Sequence, residues 1–209
     1  MTRISGLYAV TPDLQDTALL IGKTRAILAA GARLVQYRNK VADDDLRREQ
    51  ASALCRLCRQ HGAALIINDH VEIALAVDAD GVHIGMDDTS LPAARARLGH
   101  AKIIGVSCYD DLQRARIATS QGADYVACGS FFASTVKPGA VRAPLALLRE
   151  ARQQTGLPVV AIGGITVANS RQLLDAGADA LAVISSLYGA TDVGHATREF
   201  CRLFEAKTV

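Results

Sequence analysis

Short apolar runs alternate along the chain with longer stretches in which apolar and charged positions follow a helical period. Several runs come directly after a turn of small residues, as in AGARLVQYR, HGAALIIND, DADGVHIG, QGADYVACG and AGADALAVI. Such a turn before a run dense in Val, Ile and Leu is typical of a helix end that leads into a buried strand. With three further runs, the pattern predicts eight strands, at 6–11, 30–38, 61–69, 78–85, 102–108, 121–129, 157–165 and 176–184.

Helix-period segments rich in Ala, Leu, Arg and Glu fill the spaces between these runs. They lie at 15–30, 43–61, 91–98, 110–121, 143–155, 168–177 and 192–206, with a short one between IIND and GVHIG. Near-continuous apolar strands that alternate with helices predict a parallel sheet covered on both faces. Eight such units in 209 residues favour an α/β fold, a single-domain (β/α)8 TIM barrel over 1–209, rather than a doubly wound open sheet.

The composition is that of a soluble globular protein and favours small-molecule partners. Hydrophobic residues make up 50% of the chain, charged residues 21%, and the formal net charge is +2. Without a basic tract or a Trp, we expect no nucleic-acid partner, and no apolar run approaches the roughly 20 residues that a membrane span needs. The first residues show no apolar signal-peptide segment, and the cysteines are odd in number and scattered. We therefore expect a cytoplasmic protein with reduced thiols; its oligomeric state stays open.

Cations follow the second predicted strand on one face of the chain. In LVQYRNK (34–40), period-2 alternation directs Gln36, Arg38 and Lys40 the same way. The active face of a (β/α)8 barrel lies at the carboxyl ends of its strands. An anion site at this end of the strand is one reading, and a solvated strand end is the other.

Carboxylates follow the third and fourth strands. Asp69 comes directly after a strand-end Asn, and Asp88 lies just beyond the next strand. Mg²⁺ often takes one or two protein carboxylates and completes its shell with phosphate and water. The alternative is that Asp69 caps the helix that begins near His70 and that Asp88 lies in a polar turn.

Glycines and hydroxyls follow the last two strands. Gly163 and Gly164 precede a helix, and Ile184 and Ser185 end the next apolar run. This is where many barrels bind phosphate, because glycines allow backbone N–H groups to approach the anion. Two other groups near this rim, the thiol of Cys108 and the imidazole of His83, are expected to be packed in the core.

Taken together, the strand ends resemble those of the thiamine phosphate synthase family. The phrases that carry the resemblance are GLYAVT, QYRNK, LIIND, ADGVHIG, IIGVS, ADYVACGSFF with the following Lys137, PVVAIGGI and AVISS. Their order and spacing cover nearly the whole chain. The family has a (β/α)8 barrel and is a transferase of thiamine biosynthesis. It couples 4-amino-2-methyl-5-hydroxymethylpyrimidine diphosphate to a (carboxy)thiazole phosphate and releases pyrophosphate.

The resemblance implies a role for each matching position. The pyrimidine diphosphate would be bound by Gln36, Tyr37, Arg38, Asn39, Lys40, Asn68, Ser107 and Lys137. The thiazole phosphate would be bound by Ser134, Thr135, Val136, Gly163, Gly164, Ile184 and Ser185. Asp69 and Asp88 would hold one Mg²⁺ per active site. The family's substitution is dissociative, so Arg38, Lys40 and Lys137 would be catalytic by stabilising charge on the leaving diphosphate.

Three positions depart from the family's usual pattern. Met86 stands in place of a Gln in the metal loop, Val136 replaces a Thr, and Ser130 replaces a Pro. A thioether cannot replace an amide's hydrogen bonds, and Val lacks the Thr hydroxyl. Two alternatives follow: a barrel similar to the thiazole tautomerase, and a non-catalytic paralogue that binds thiamine precursors. The first predicts losses in the pyrimidine half of the site, whereas the departures fall in the metal loop and the thiazole half.

Overall fold

The computed structural model describes residues 4–85, 88–133 and 141–205. In these ranges, parallel strands pair in chain order and the last strand pairs with the first, which closes the barrel. The strands are β1 (Gly6–Val10), β2 (Leu34–Tyr37), β3 (Ala64–Asn68), β4 (Gly81–Ile84), β5 (Ile103–Tyr109), β6 (Tyr125–Cys128), β7 (Val159–Ile162) and β8 (Ala180–Val183). The predicted (β/α)8 TIM barrel is confirmed.

Helices cover the outside of the barrel. They are α1 (Thr17–Ala29), α2 (Asp44–Gln60), α3 (Val71–Ala76), α4 (Leu91–Leu98), α5 (Leu112–Ser120), α6 (Ala146–Thr155), α7 (Val167–Asp175), α8 (Ser185–Tyr188) and α9 (Val193–Glu205). The four-residue α8 was not predicted, because one helical turn is too short to show a period. In the described ranges, no helix is long and apolar enough to cross a membrane.

Aspartates begin several helices. Asp16 accepts a hydrogen bond from the backbone N–H of Leu19 at 2.9 Å, and Asp43 accepts one from Leu46 at 2.9 Å. Each carboxylate pairs a backbone donor that the first helical turn leaves free. These caps set where α1 and α2 start, just after the carboxyl ends of β1 and β2.

The apolar core has two layers. The outer layer lies between the strands and the helices, and includes the large side chains of Leu20, Ile27 and Phe200. The inner layer fills the barrel with smaller side chains, together with two tyrosines, Tyr8 and Tyr125. Because this filling occupies the middle of the barrel, a ligand can enter only at the ends of the strands.

Candidate active site

A cavity of about 870 Å³ lies at the carboxyl ends of the strands. Most of the described residues that the sequence singles out line it. They are Gln36, Arg38, Lys40, Asn68, Asp69, Asp88, Ser107, Gly163, Gly164, Ile184 and Ser185. The fold thus brings positions from distant parts of the chain to one cavity, as the strand-end reasoning predicted.

Alternation along the end of β2 separates the residues of QYRNK. The side chains of Gln36, Arg38 and Lys40 line the cavity. Tyr37 and Asn39 do not: both are buried on the other side, where the Tyr37 hydroxyl donates to Gln50 at 2.9 Å. The Asn39 amide donates to the Leu14 carbonyl at 2.7 Å and to Gln50 at 3.1 Å. The side chains of Tyr37 and Asn39 therefore support the connection from β2 to α2 from outside the cavity.

Asp13 binds the side chain of Arg38 and the backbone of Lys40. Its carboxylate accepts from Arg38 Nη1 at 3.0 Å and from the backbone N–H of Lys40 at 2.6 Å. The Thr11 hydroxyl donates to the Arg38 carbonyl at 2.7 Å and accepts from the Arg38 backbone N–H at 2.8 Å. The connection after β1 thereby positions the end of β2, and sequence reasoning missed this role of Asp13.

Asp69 and Asp88 form an acidic pair on the same side of the cavity. Lys40 Nζ contacts Asp69 Oδ2 at 2.6 Å, and Asp88 Oδ2 accepts from the Gly85 backbone N–H at 2.6 Å. Burial raises the pKa of Asp88 above its ordinary value, and the neighbouring Asp69 carboxyl raises it further. Two carboxyl groups this close disfavour joint ionisation unless a cation lies near them.

The donor set of this pair fits Mg²⁺. Two carboxylates beside a cavity lined with cations leave the remaining positions of a hard ion to water and ligand oxygens. In residues 4–85, 88–133 and 141–205, no group of three or more His, Cys, Asp or Glu could hold a metal by itself. Asp69 does not serve as the cap of α3, because the capping position is His70 and no side chain bonds the helix start. The alternative reading of Asp69 as a helix cap is therefore wrong.

The glycine pair lies where the β6 and β7 connections meet. Gly163 and Gly164 have φ values of 103° and 62°. A Cβ on Gly163 would lie 1.9 Å from Ser130 Oγ, and one on Gly164 would lie 2.2 Å from the Ala133 carbonyl oxygen. The Asn169 side chain donates to the Gly164 carbonyl at 3.0 Å. Only glycine fits both positions, and the backbone there stays accessible to the cavity.

Several cavity residues were missed or given another role. Tyr109 and Arg114 line the cavity, with the guanidinium 5.4 Å from the centre of the tyrosine ring. Tyr8 also lines it, and alternation from Gly6 could have placed Tyr8 inside the barrel. His83 is packed and hydrogen-bonded as predicted, yet it reaches the cavity as well. Burial lowers the pKa of His83 to about 4.

Part of the predicted site lies outside the described residues. This holds for Ser134, Thr135, Val136 and Lys137 after β6, and for Met86 after β4. Their predicted roles stay predictions.

Comparisons with known proteins agree on one family. The family model described as thiamine monophosphate synthase matches residues 7–187. The thiamine-phosphate synthase of Methylobacillus flagellatus is 53% identical, over 96% of this chain and 96% of that protein. That of Nitrosospira multiformis is 49% identical, over 98% of this chain and 88% of that protein. The solved structure of thiamine phosphate pyrophosphorylase from Pyrococcus furiosus aligns with a TM-score of 0.86 at 36% identity, covering 98% of this chain and 97% of that one. The chain therefore belongs to the thiamine monophosphate synthase family.

Proposed function

We propose that this chain is a transferase that makes thiamine phosphate. It joins 4-amino-2-methyl-5-hydroxymethylpyrimidine diphosphate to a (carboxy)thiazole phosphate and releases pyrophosphate. Where the thiazole is carboxylated, its carboxylate also leaves as CO2. Full-length similarity to thiamine-phosphate synthases supports the activity. The observation that carries the assignment to this cavity is its two-sided lining. Cations and the acidic pair lie on one side. Gly163 and Gly164, which we call the glycine cradle, lie on the other.

The cationic side suits the diphosphate. Arg38 and Lys40 face the cavity and supply positive charge where negative charge grows on the leaving group. Asp69 and Asp88 would hold one Mg²⁺, which supplies further charge neutralisation to the diphosphate when bound. Lys137 is a third proposed cation for the same leaving group.

The glycine side suits a monophosphate. Gly163 and Gly164 keep the backbone accessible, while Ile184 and Ser185 begin the turn that follows β8. The predicted contacts of Ser134, Thr135 and Val136 would complete this half. The pyrimidine ring would lie between the halves, against Gln36, Asn68 and Ser107.

The proposed substitution needs no protein nucleophile. The bond from the pyrimidine methylene carbon to the diphosphate oxygen breaks, and its electron pair leaves with pyrophosphate. The thiazole nitrogen then uses its lone pair to form the new carbon–nitrogen bond. Holding the two rings together lowers the barrier to this second step.

No described feature favours the tautomerase-like or the non-catalytic alternative. A barrel that handles only the thiazole phosphate has no need of an acidic pair beside Lys40. We expect a cytoplasmic enzyme whose partners are its small-molecule substrates and which binds no nucleic acid.

The test is an assay of thiamine phosphate formation with both substrates, at several Mg²⁺ concentrations, for the wild type and three variants. Asp69→Asn and Asp88→Asn should each lower the activity at limiting Mg²⁺ by about 100-fold or more, because each removes a metal ligand. Asp175→Asn is the matched control, since Asp175 pairs with Arg171 on an exposed face of α7. A folded wild type that yields no product would refute the proposal.

A further inference from the structure

A continuous series of hydrogen bonds crosses the floor of the cavity. Gln36 Nε2 donates to the Tyr8 hydroxyl at 3.0 Å, and the Tyr8 and Tyr125 hydroxyls are 2.9 Å apart. The Tyr125 hydroxyl is 2.9 Å from His83 Nδ1, and His83 Nε2 is 2.8 Å from Ser107 Oγ. We call these five residues the floor network. Its two ends, Gln36 and Ser107, line the cavity.

The floor network passes through the barrel rather than around it. It runs from β2 through β1 to β6, which is not a neighbour of β1, and then to β4 and β5. Gly105 makes room for it, because a Cβ there would lie 1.9 Å from the Tyr125 ring. Tyr8 and Tyr125 are almost fully buried. Buried hydroxyls use their protein partners, because leaving one unpaired is costly.

With the Gln36 amide nitrogen directed at Tyr8, the number of protons fixes the direction of every bond in the floor network. The Gln36 amide nitrogen can only donate, so the Tyr8 hydroxyl accepts from it and uses its one proton toward Tyr125. The Tyr125 proton then goes to His83 Nδ1. His83 Nδ1 is therefore bare and Nε2 carries the hydrogen.

The same count of protons determines which hydrogen bonds Gln36 and Ser107, the two ends of the floor network, can make to a ligand. His83 Nε2 donates to Ser107 Oγ, so the Ser107 proton is left to point elsewhere. Since Ser107 lines the cavity, that proton can serve a ligand acceptor. At the other end one of the two Gln36 N–H groups is engaged by Tyr8, and the carbonyl oxygen is left to accept from a ligand donor.

We propose that Tyr8, Tyr125 and His83 are positioning residues that couple Gln36 to Ser107, so that Gln36 accepts from the ligand while Ser107 donates to it. The ligand class that matches is a planar nitrogen heterocycle that bears an amino group and an unprotonated ring nitrogen. The identification of the ring rests on the proposed function, because the aminopyrimidine substrate belongs to this class.

Coupling has a consequence for specificity. If the Gln36 amide rotated so that its oxygen and nitrogen exchanged places, each hydroxyl proton and the His83 tautomer would have to change with it. Ser107 would then become an acceptor toward the ligand. The two ends can switch only together. A 4-oxo analogue of the pyrimidine offers an acceptor and a ring N–H, the reverse pattern, and the wild type should reject it because buried polar groups would be left unpaired.

Nitrogen-15 NMR of the imidazoles in the ligand-free protein tests the direction of the network. The His83 signals are assigned by their absence in His83→Gln. We expect the neutral tautomer with hydrogen on Nε2 in the wild type and in Tyr8→Phe, because Tyr125 still donates to Nδ1 there. Tyr125→Phe should give a mixture of tautomers. Hydrogen on Nδ1 in the wild type would overturn the proposal.

Steady-state kinetics test the coupling itself. The quantity is the ratio of kcat/KM for the aminopyrimidine diphosphate to that for its 4-oxo analogue. Tyr125→Phe should lower this ratio by about 10- to 100-fold, the effect of losing one or two fixed hydrogen bonds. Tyr188→Phe should keep it, since the buried Tyr188 hydroxyl pairs with Thr24 outside the barrel.

The outcomes separate this inference from the proposed function. If Tyr125→Phe does not fold, Tyr8→Phe replaces it, and the ratio should fall through release of Gln36 alone. An unchanged ratio in a folded, active variant would overturn the coupling and leave the function in place. A wild type that makes no thiamine phosphate would refute the function, while the His83 tautomer would still decide the direction of the network.

Discussion

At the scale of single residues, carboxylates hold the cations of the cavity in place. Asp13 pairs with Arg38 at 3.0 Å, and Asp69 pairs with Lys40 at 2.6 Å. An incoming diphosphate must compete with Asp13 and Asp69 for these cations. A Mg²⁺ ion at Asp69 and Asp88 would weaken that competition, because it would draw the Asp69 charge away from Lys40. Mg²⁺ and the diphosphate should therefore each bind more tightly when the other is bound.

At the same scale of single residues, His83 should make the free energy of unfolding depend on pH. Burial lowers its pKa from 6.5 to about 4. As the pH falls below 6.5, the unfolded chain takes up a proton that the folded protein does not, so stability is lost toward pH 4. From pH 7 to pH 4.5, this one group should cost about 2 to 3 kcal/mol of unfolding free energy.

Urea unfolding at the two pH values, without Mg²⁺, measures this cost. The free energy of unfolding should fall by that amount more in the wild type than in His83→Gln. The comparison within each protein cancels any constant loss of stability that the substitution causes. Equal falls in the two proteins would contradict the prediction.

At the scale of elements, aspartates link the amino ends of neighbouring strands. Asp80 accepts from the Leu65 backbone N–H at 2.8 Å, and Asp124 accepts from Ile104 at 2.7 Å. Asp179 repeats this contact with Val159 at 3.0 Å. The recurring Ala-Asp before an apolar run is thus explained by strand pairing at the face opposite the cavity.

The connection after β7, which contains Gly163 and Gly164, provides a second prediction. Gly164→Ala places a methyl group 2.2 Å from the Ala133 carbonyl oxygen, so the connection after β7 must shift. Gly156→Ala is the matched control, because Gly156 has a similar φ of 66° and open space around it. Both variants should lose about 1 to 2 kcal/mol of stability from the left-handed backbone, and Gly164→Ala should lose more.

Kinetics separate the two variants. The KM for the thiazole phosphate should rise about tenfold or more in Gly164→Ala, because a misplaced backbone loses at least one hydrogen bond to the phosphate. It should stay near the wild-type value in Gly156→Ala. Equal KM values in two folded variants would argue against phosphate binding at the cradle.

At the scale of the whole molecule, closing the barrel brings both halves of the site together. β8 pairs with β1 through Tyr8 and Ala182, so residues more than 170 positions apart in the chain become neighbours. The cations after β2 and the glycines after β7 then line one cavity. A ligand that binds several strand ends at once should stabilise the entire fold, because only the folded chain can bind it.

Binding of the product pyrophosphate tests whether a ligand at the strand ends stabilises the whole fold. Pyrophosphate at about 100-fold above its dissociation constant, in the presence of Mg²⁺, should stabilise the folded state by about 2.7 kcal/mol relative to Mg²⁺ alone. For a chain of 209 residues, this corresponds to a rise in Tm of roughly 5 to 10 °C. Scanning calorimetry with pyrophosphate alone, with Mg²⁺ alone, with both, and with both plus EDTA measures the effect. Sulfate at equal ionic strength is the control, and the same Tm with and without Mg²⁺ would contradict the acidic pair as a metal site.

The sequence by itself determined the strands, the order of the helices and eleven of the residues that line the cavity. It could do so because buried strands and amphipathic helices have different periods, and because all strands of a parallel barrel end at one face. Alternation alone predicted that Gln36, Arg38 and Lys40 share a direction, and the structure confirms this.

The tertiary structure decided everything that depends on contact between distant strands. Alternation cannot tell which face of β2 points inward, so only packing removed Tyr37 and Asn39 from the cavity. Asp13 and the floor network were missed for the same reason, since their partners lie far away in the chain. A tyrosine in an apolar run looks like core until the barrel closes and brings its hydroxyl to another strand.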